Sequence, residues 1–502
     1  MRTAEFTERT ASLWPRPGLV PLQAAPPPVA PRPVAHHRPG RLRWVADAML
    51  PLALLIVAGV AVLLPASLDS KARLALFAFA VAAILWSTTS FNPAYVALTA
   101  VLLLVFTGAR PQQELFEALA SDVVWLMIGA FVLGEAVERS GLAGRMAQLV
   151  VSRARSVSGM CWLLTTVLVP LTFLVPSTSG RAAVTIPLFR SVTGADGDRR
   201  VTRVVALLMP TVILVSTIAT VIGAGSHLIA NDLLEQIADR RLSFAQWALY
   251  GVPFALAASY LSCWVVLRLF LRREQRQQAL RIPASRSRPL SAAEWKTLAV
   301  VVAMVVLWLT ESRHGLEIAT VTVVGAVVLT APAGGVLRWK DGLKAVSWNL
   351  VVFVGAALVL GRALIDTGAA QWIIDRLFAV SSIAGADSHL LVLLILALIS
   401  LTSHLYMTSH SARAAALVPP LLYLAGSLGV DPAAVMFIGT AGMDYCLTFP
   451  VSSKALLMFQ ELEGETYQPA DLLRLSSVLL LMHLGLMVAF YFGYWRYVGL
   501  SL

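Results

Sequence analysis

Pro176-Ser177-Thr178-Ser179-Gly180-Arg181-Ala182-Ala183 is a polar stretch inside a strongly apolar region, and it returns as Thr408-Ser409-His410-Ser411-Ala412-Arg413-Ala414-Ala415. Aligned without a gap, the two give S-x-S-x-R-A-A-x-x-x-P, closing at Pro187 and at Pro419. They form an internal repeat. A turn placed within a bilayer leaves backbone N–H and C=O groups unpartnered, at several kcal/mol each, unless protein or a wet cavity surrounds it. A re-entrant hairpin tip meets that condition. A pseudo-symmetric pair of tips is the arrangement in which broken helices meet near the midplane and aim their N-termini at an anion. The motif therefore predicts a secondary transporter.

Composition agrees. A chain of 502 residues with 58% hydrophobic and 13% charged residues and a mean hydropathy of +0.76 is too apolar for a soluble globular protein. An all-α polytopic membrane protein is expected. The net charge of +11 resides mostly in Lys and Arg of short loops, where it sets orientation, so the expected partner is the lipid bilayer and not nucleic acid. Cys161, Cys263 and Cys446 each lie in an apolar run without metal-type spacing, and neither a disulfide framework nor a zinc site is expected.

Outward from the motif, the chain divides into four segments. Residues 1–46 are rich in proline (Pro26, Pro27, Pro28, Pro31, Pro33) and end in Arg38, Arg41 and Arg43, which reads as a disordered basic cytoplasmic tail. The first half, 47–271, has apolar runs at 47–66, 73–88 and 92–108, a longer segment at 122–151, a hairpin at 160–192, a broken helix at 201–235 and a span at 250–271. A basic cytoplasmic linker, 272–296, contains Arg273, Arg276, Arg281, Arg286 and Arg288. The second half, 297–502, repeats the layout with a hairpin at 389–427, a broken helix at 433–460 and a last span at 473–495, closing on Tyr491, Tyr494, Trp495 and Tyr497, read as an interfacial aromatic cluster. Val132-Leu133-Gly134 with Gly141 recurs as Val359-Leu360-Gly361 with Gly368, so the repeat extends beyond the tips. The expected architecture is about eleven transmembrane helices plus a pair of re-entrant hairpins in an inverted repeat. Loops 381–388 and 426–432 contain no Lys or Arg, which places the N-terminus inside.

The residues that can carry chemistry follow from this layout. A charge near the bilayer centre costs at least about 2.5–3.5 kcal/mol, so Arg181 and Arg413 at matching positions demand partners or a wet site. A guanidinium binds a carboxylate or sulfate bidentately. The alternative is that each snorkels, or pairs with a carboxylate such as Glu135, Glu138 or Asp366. Ser177, Thr178, Ser179, Ser409, His410 and Ser411 complete the candidate substrate shell, with simple N-capping as the other role of the hydroxyls. Gly223-Ala224-Gly225-Ser226-His227 interrupts the first broken helix and Asp444 to Lys454 the second, through Pro450, Ser452 and Ser453. At such breaks carbonyls seat a coupling ion. There Gly223, Gly225, Ser226, His227, Asp444, Ser452, Ser453 and Lys454 are coupling-ion or cation-mimic candidates, Lys454 as an ammonium in a cation's place with Asp444 as its partner or as a proton carrier. His227, His404 and His410 are candidates for protonation during transport.

On these residues the chain resembles the divalent anion/sodium symporter family of sodium-coupled dicarboxylate and sulfate carriers and sodium-independent dicarboxylate exchangers. The likeness rests on the tips, the Gly-rich breaks and the blocks Trp125 to Gly141 and Trp348 to Gly368, and covers roughly residues 47–498. The family's Ser-Asn-Thr tips are matched by Ser177-Thr178-Ser179 and Ser409-His410-Ser411, with both asparagines changed, and no Thr-Pro-Pro-Asn loop stands at either break. Gly180-Arg181 is similar to the exchanger branch, which often continues the first tip with Ala-Arg. The resemblance implies a homodimer, an outer scaffold domain and an elevator-type moving transport domain.

The sequence thus predicts a carrier, with no enzymatic activity, for a small dianion, a C4-type dicarboxylate before sulfate. It would sit in a bacterial inner membrane and work by exchange or proton coupling, without a cofactor. Sodium-coupled symport is the alternative. A cation/proton antiporter or arsenite-type carrier would instead use Asp444, Asp232 and His227. An intramembrane hydrolase would use Ser177 or Ser409 with a histidine, although no Gly-x-Ser-x-Gly elbow is present.

Overall fold

The computed structural model describes residues 41–64, 68–175, 177–194, 198–279, 289–370, 372, 389–462 and 466–502. Most of the expected tail, the middle of the basic linker and the loop 381–388 lie outside the described residues. Met1–Ala48 forms one unit, of which 41–48 are described as helix, and Met49–Leu502 forms the other. Among the described residues every regular element is helical apart from a lone β-bridge between Ser156 and Ala279.

Seven of the described helices are long and apolar enough to cross a membrane. Their burial separates centre from rim. The window in Arg199–Ala219 is 89% buried and that in Trp348–Asp366 is 67% buried, against 28% for Ser70–Thr88 and for Ala292–Leu309. A helix that is apolar all round yet buried in protein belongs to the core, while one that leaves most of its apolar surface open faces lipid. Shorter apolar helices, among them Val157–Phe173, His389–Leu405 and Pro432–Met443, are the pieces left by hairpins and breaks.

Both hairpins are built alike. Val157–Leu168 runs into a 3₁₀ turn, Pro170–Phe173, and the chain returns as Thr178–Thr193, capped by Ser177. His389–Thr402 runs into Ser403–Leu405 and returns as His410–Leu428, capped by Ser409. The first broken helix has a leading half, Arg199–Val215, the tight turns Thr217–Ala219 and Val221–Gly223, and a trailing half, Gly225–Ala238. The second has Pro432–Met443, a stretch ending in Pro450–Ser452, and Lys454–Gln460. A Cβ at Gly223 would lie 2.3 Å from the Thr217 carbonyl oxygen, so only glycine lets the chain close this turn.

The halves interlock reciprocally. The trailing half Gly225–Ala238 packs on the second hairpin's returning arm and on Pro432–Met443, while Lys454–Gln460 packs on the first hairpin's returning arm and on Arg199–Val215. The repeated Val-Leu-Gly blocks end alike too, on left-handed Gly141 and Gly368, each at φ 73°. At the chain's end the aromatic cluster is partly internal. Trp495 is fully buried, donates from Nε1 to the Tyr250 carbonyl at 3.0 Å and packs among Phe254, Phe437 and Phe490, while Tyr491 is buried and Tyr497 is 68% exposed. An indole that finds a buried acceptor is held in the core, which corrects the interfacial reading for Trp495.

Candidate functional site

Each returning arm starts on its serine cap. Ser177 Oγ accepts from the Gly180 amide and Ser409 Oγ from the Ala412 amide, both at 3.3 Å. Capping satisfies one of the orphan donors at each helix start and leaves others available. Ser177, Thr178, Ser179, Ser409, His410 and Ser411 are half-buried.

One turn further in, Arg181 and Arg413 are completely buried. Neither is ion-paired among the described residues; of the carboxylates considered as partners, Glu135 bonds Arg139 and Asp366 bonds Arg110. Arg181 Nη2 donates to Thr217 Oγ1 at 2.9 Å and to the Gly223 carbonyl at 3.1 Å, which ties the hairpin to the first break. Its Nε and Nη1 have no acceptor. Among the described residues none of the three nitrogens of Arg413 has an acceptor in hydrogen-bonding geometry, and the soft Cys446 sulfur is its neighbour. Leaving a buried charge unpaired is strongly unfavourable, which makes these guanidinium donors the candidates for meeting an anion.

The breaks bring a second group alongside. His227 Nδ1 lies 3.0 Å from the Thr220 carbonyl, and Nε2 lies 3.1 Å and 2.9 Å from the carboxylate oxygens of Asp444. Asp444 thus meets His227 and not Lys454, which stands exposed at the start of its helix. Thr220, Ser226 and Ser452 bury hydroxyls without partners, while Ser453 Oγ accepts from the Ala455 amide at 3.2 Å. The Gly223 carbonyl, a coupling-ion candidate, accepts from Arg181 Nη2. Gly225 sits against Leu350. Among the described residues no three His, Cys, Asp or Glu groups come together as a metal site.

His410 reaches Cys446 Sγ at 2.8 Å. His404 bonds the Leu401 carbonyl at 2.8 Å and Thr448 Oγ1 at 2.7 Å, and Thr448 continues to Ser476, 2.7 Å away. Neither tip serine is hydrogen-bonded to a histidine among the described residues; their oxygens accept backbone amides instead. Asp232 lies elsewhere, bonded to Gln236 beside the Arg241–Asp122 ion pair. Thr217, Thr220 and Thr448 were not among the residues singled out from sequence, and Cys446 was noted only as a thiol in an apolar run. Their one signal is proximity to the breaks, because a hydroxyl or thiol in an apolar run is otherwise unremarkable.

A helical membrane core with paired hairpins, broken helices and unpaired buried arginines is that of a membrane transporter. The chain belongs to the sodium:sulfate symporter family, whose transmembrane-region model matches residues 46–501. That family consists of transporters and not of enzymes. A membrane protein of Cupriavidus necator is 30% identical over 391 residues, 74% of each chain. The citrate/succinate antiporter of Escherichia coli K12 is 24% identical over 66% of this chain and 70% of its own. The sodium-dependent dicarboxylate transporter of Staphylococcus saprophyticus is 22% identical over 73% and 76%. In fold, the chain is similar to the YdaH transporter of Alcanivorax borkumensis, with a TM-score of 0.55 at 16% identity, covering 90% of this chain and 98% of that one.

Proposed function

We propose that this protein exchanges small dicarboxylates of the C4 type across a bacterial inner membrane without sodium. The observation that carries the reading is the pair of fully buried arginines at equivalent tip positions, neither of which is ion-paired among the described residues. Two fixed guanidinium charges match the two carboxylates of a dianion, and the fork of Arg413 is free to take one of them bidentately. The names of the antiporter relatives point the same way, and Arg181 already occupies the carbonyl of the first break where a coupling cation would sit. The hairpins and broken helices would move together as an elevator-type transport domain between helices of a homodimeric scaffold, with the N-terminus inside. Their reciprocal packing supports treating them as one body.

The test is uptake of labelled succinate into proteoliposomes, with and without external sodium and with and without internal unlabelled succinate. Uptake that requires internal succinate and ignores sodium supports exchange. Strict sodium dependence would replace it by symport, the activity named for the Staphylococcus relative. Uptake of labelled sulfate but not succinate would reassign the substrate.

A further inference from the structure

His227 and Asp444 join the trailing half of the first broken helix to the end of the leading half of the second, and both side chains are buried. The Thr220 carbonyl 3.0 Å from Nδ1 can only accept, so Nδ1 carries a hydrogen. Nε2 then faces the carboxyl group in one of two arrangements. Either Nε2–H donates to a carboxylate, or a carboxyl O–H donates to a bare Nε2, and both contain the same single proton. Without it, a lone pair confronts a buried carboxylate with no hydrogen between them. The ring cannot easily turn aside: it stacks at 5.1 Å on Trp247, whose own Nε1 is fixed on the Ile218 carbonyl at 2.9 Å.

The surroundings make that proton responsive to an anion. From the first hairpin, Arg181 acts on Asp444 through space and holds the same break through the Gly223 carbonyl. The second hairpin contributes His410, 2.8 Å from Cys446 Sγ, Arg413 on the same arm and His404 on the preceding turn. Cys446 follows Asp444 in the chain. The long helix Phe244–Phe270 presents uncharged Trp247, and Trp348–Asp366 presents Leu350 against Gly225. The guanidinium charge of Arg181 therefore opposes a proton on the pair while no anion is bound, and a dianion beside it reverses that field.

We propose that the His227–Asp444 pair is a proton site linked to the anion site: a proton enters from water as the dianion binds and returns to water as it leaves. The proposal rests on the dicarboxylate-carrier reading. Linkage makes the effect reciprocal, so the proton also tightens the anion's binding.

Calorimetry of succinate binding to the purified protein, in buffers of different ionisation enthalpy, counts the protons taken up per anion. The range is set above about pH 6.5, where both succinate carboxylates are ionised. The expected result is net uptake of up to one proton per anion over part of the range, with succinate affinity falling by up to about tenfold per pH unit where uptake is seen. In Asp444→Asn, whose amide still donates to Nε2, uptake falls to zero, while Asp232→Asn, on the helix that carries His227, keeps it. Succinate binding to the wild-type protein with no proton uptake at any pH overturns the proposal and leaves the carrier reading intact. Equal uptake in Asp444→Asn and wild type would also overturn it. Failure of succinate, tartrate, citrate and sulfate all to bind removes the carrier reading and the proposal together.

Discussion

Arg181 and Arg413 hold the same place in the same motif, yet their surroundings differ in a way that separates structural from functional worth. Arg181 bonds Thr217 and Gly223, so its loss breaks contacts that join a hairpin to a broken helix. Arg413 makes no such bond. Replacing even a buried ion pair by apolar groups of similar volume is often neutral or stabilising by about 1–4 kcal/mol, and a lone buried charge has no paired attraction to lose. Arg413→Met should therefore raise the melting temperature in detergent while cutting succinate exchange at least about tenfold, since a charge-assisted hydrogen bond is worth about 1.5–3 kcal/mol. Arg181→Met should lower both. Thermal unfolding followed by tryptophan fluorescence, alongside liposome uptake, checks the pair. An Arg413→Met protein that is less stable and fully active would remove this arginine from the site. These arginines were legible in the sequence because a charge in an apolar run is a local signal. The His227–Asp444 contact was not, because 217 residues separate the partners and neither flanking sequence encodes the meeting.

At the scale of elements, the first break depends on a turn that admits no side chain. A Cβ on Gly223 would meet the Thr217 carbonyl oxygen at 2.3 Å, and that segment also supplies the hydroxyl bonded by Arg181. Gly223→Ala should then displace the turn, at a cost of about 1–3 kcal/mol, and move the Gly223 carbonyl away from Arg181. We expect a fall of several degrees in melting temperature and loss of exchange by about tenfold or more, on the same hydrogen-bond scale. Gly485, which has open space where a Cβ would go, should accept alanine without either effect. The positions of hairpins and breaks could be read from punctuation by Gly, Pro, Ser and Thr inside apolar runs. The reciprocal seating of each trailing half on the other repeat's returning arm could not, since apolar faces of similar composition do not announce their partners. Trp495 shows the same limit: its place near the end of a span suggested an interface, and a buried carbonyl on another helix decided otherwise.

For the molecule as a whole, the balance of charge in the core bears on which states can cross the membrane. The centre holds the positive charges of Arg181 and Arg413, while His227 and Asp444 are jointly neutral when they share their proton. Moving uncompensated charge into low dielectric costs several kcal/mol per ion after relaxation, so the empty centre resists translocation. Under the proposed function a bound dianion cancels both charges, and only then does the centre become neutral. The expected behaviour is obligatory exchange that a membrane potential neither drives nor impedes. Succinate-loaded liposomes under potassium/valinomycin potentials of either sign provide the measurement. Initial exchange rates should agree within about twofold between −100 and +100 mV, although a single uncompensated charge crossing the full field would be worth about 2.3 kcal/mol per 100 mV. A strong dependence on the sign of the potential would mean that the loaded centre carries net charge, and that one arginine is neutralised by something other than the substrate.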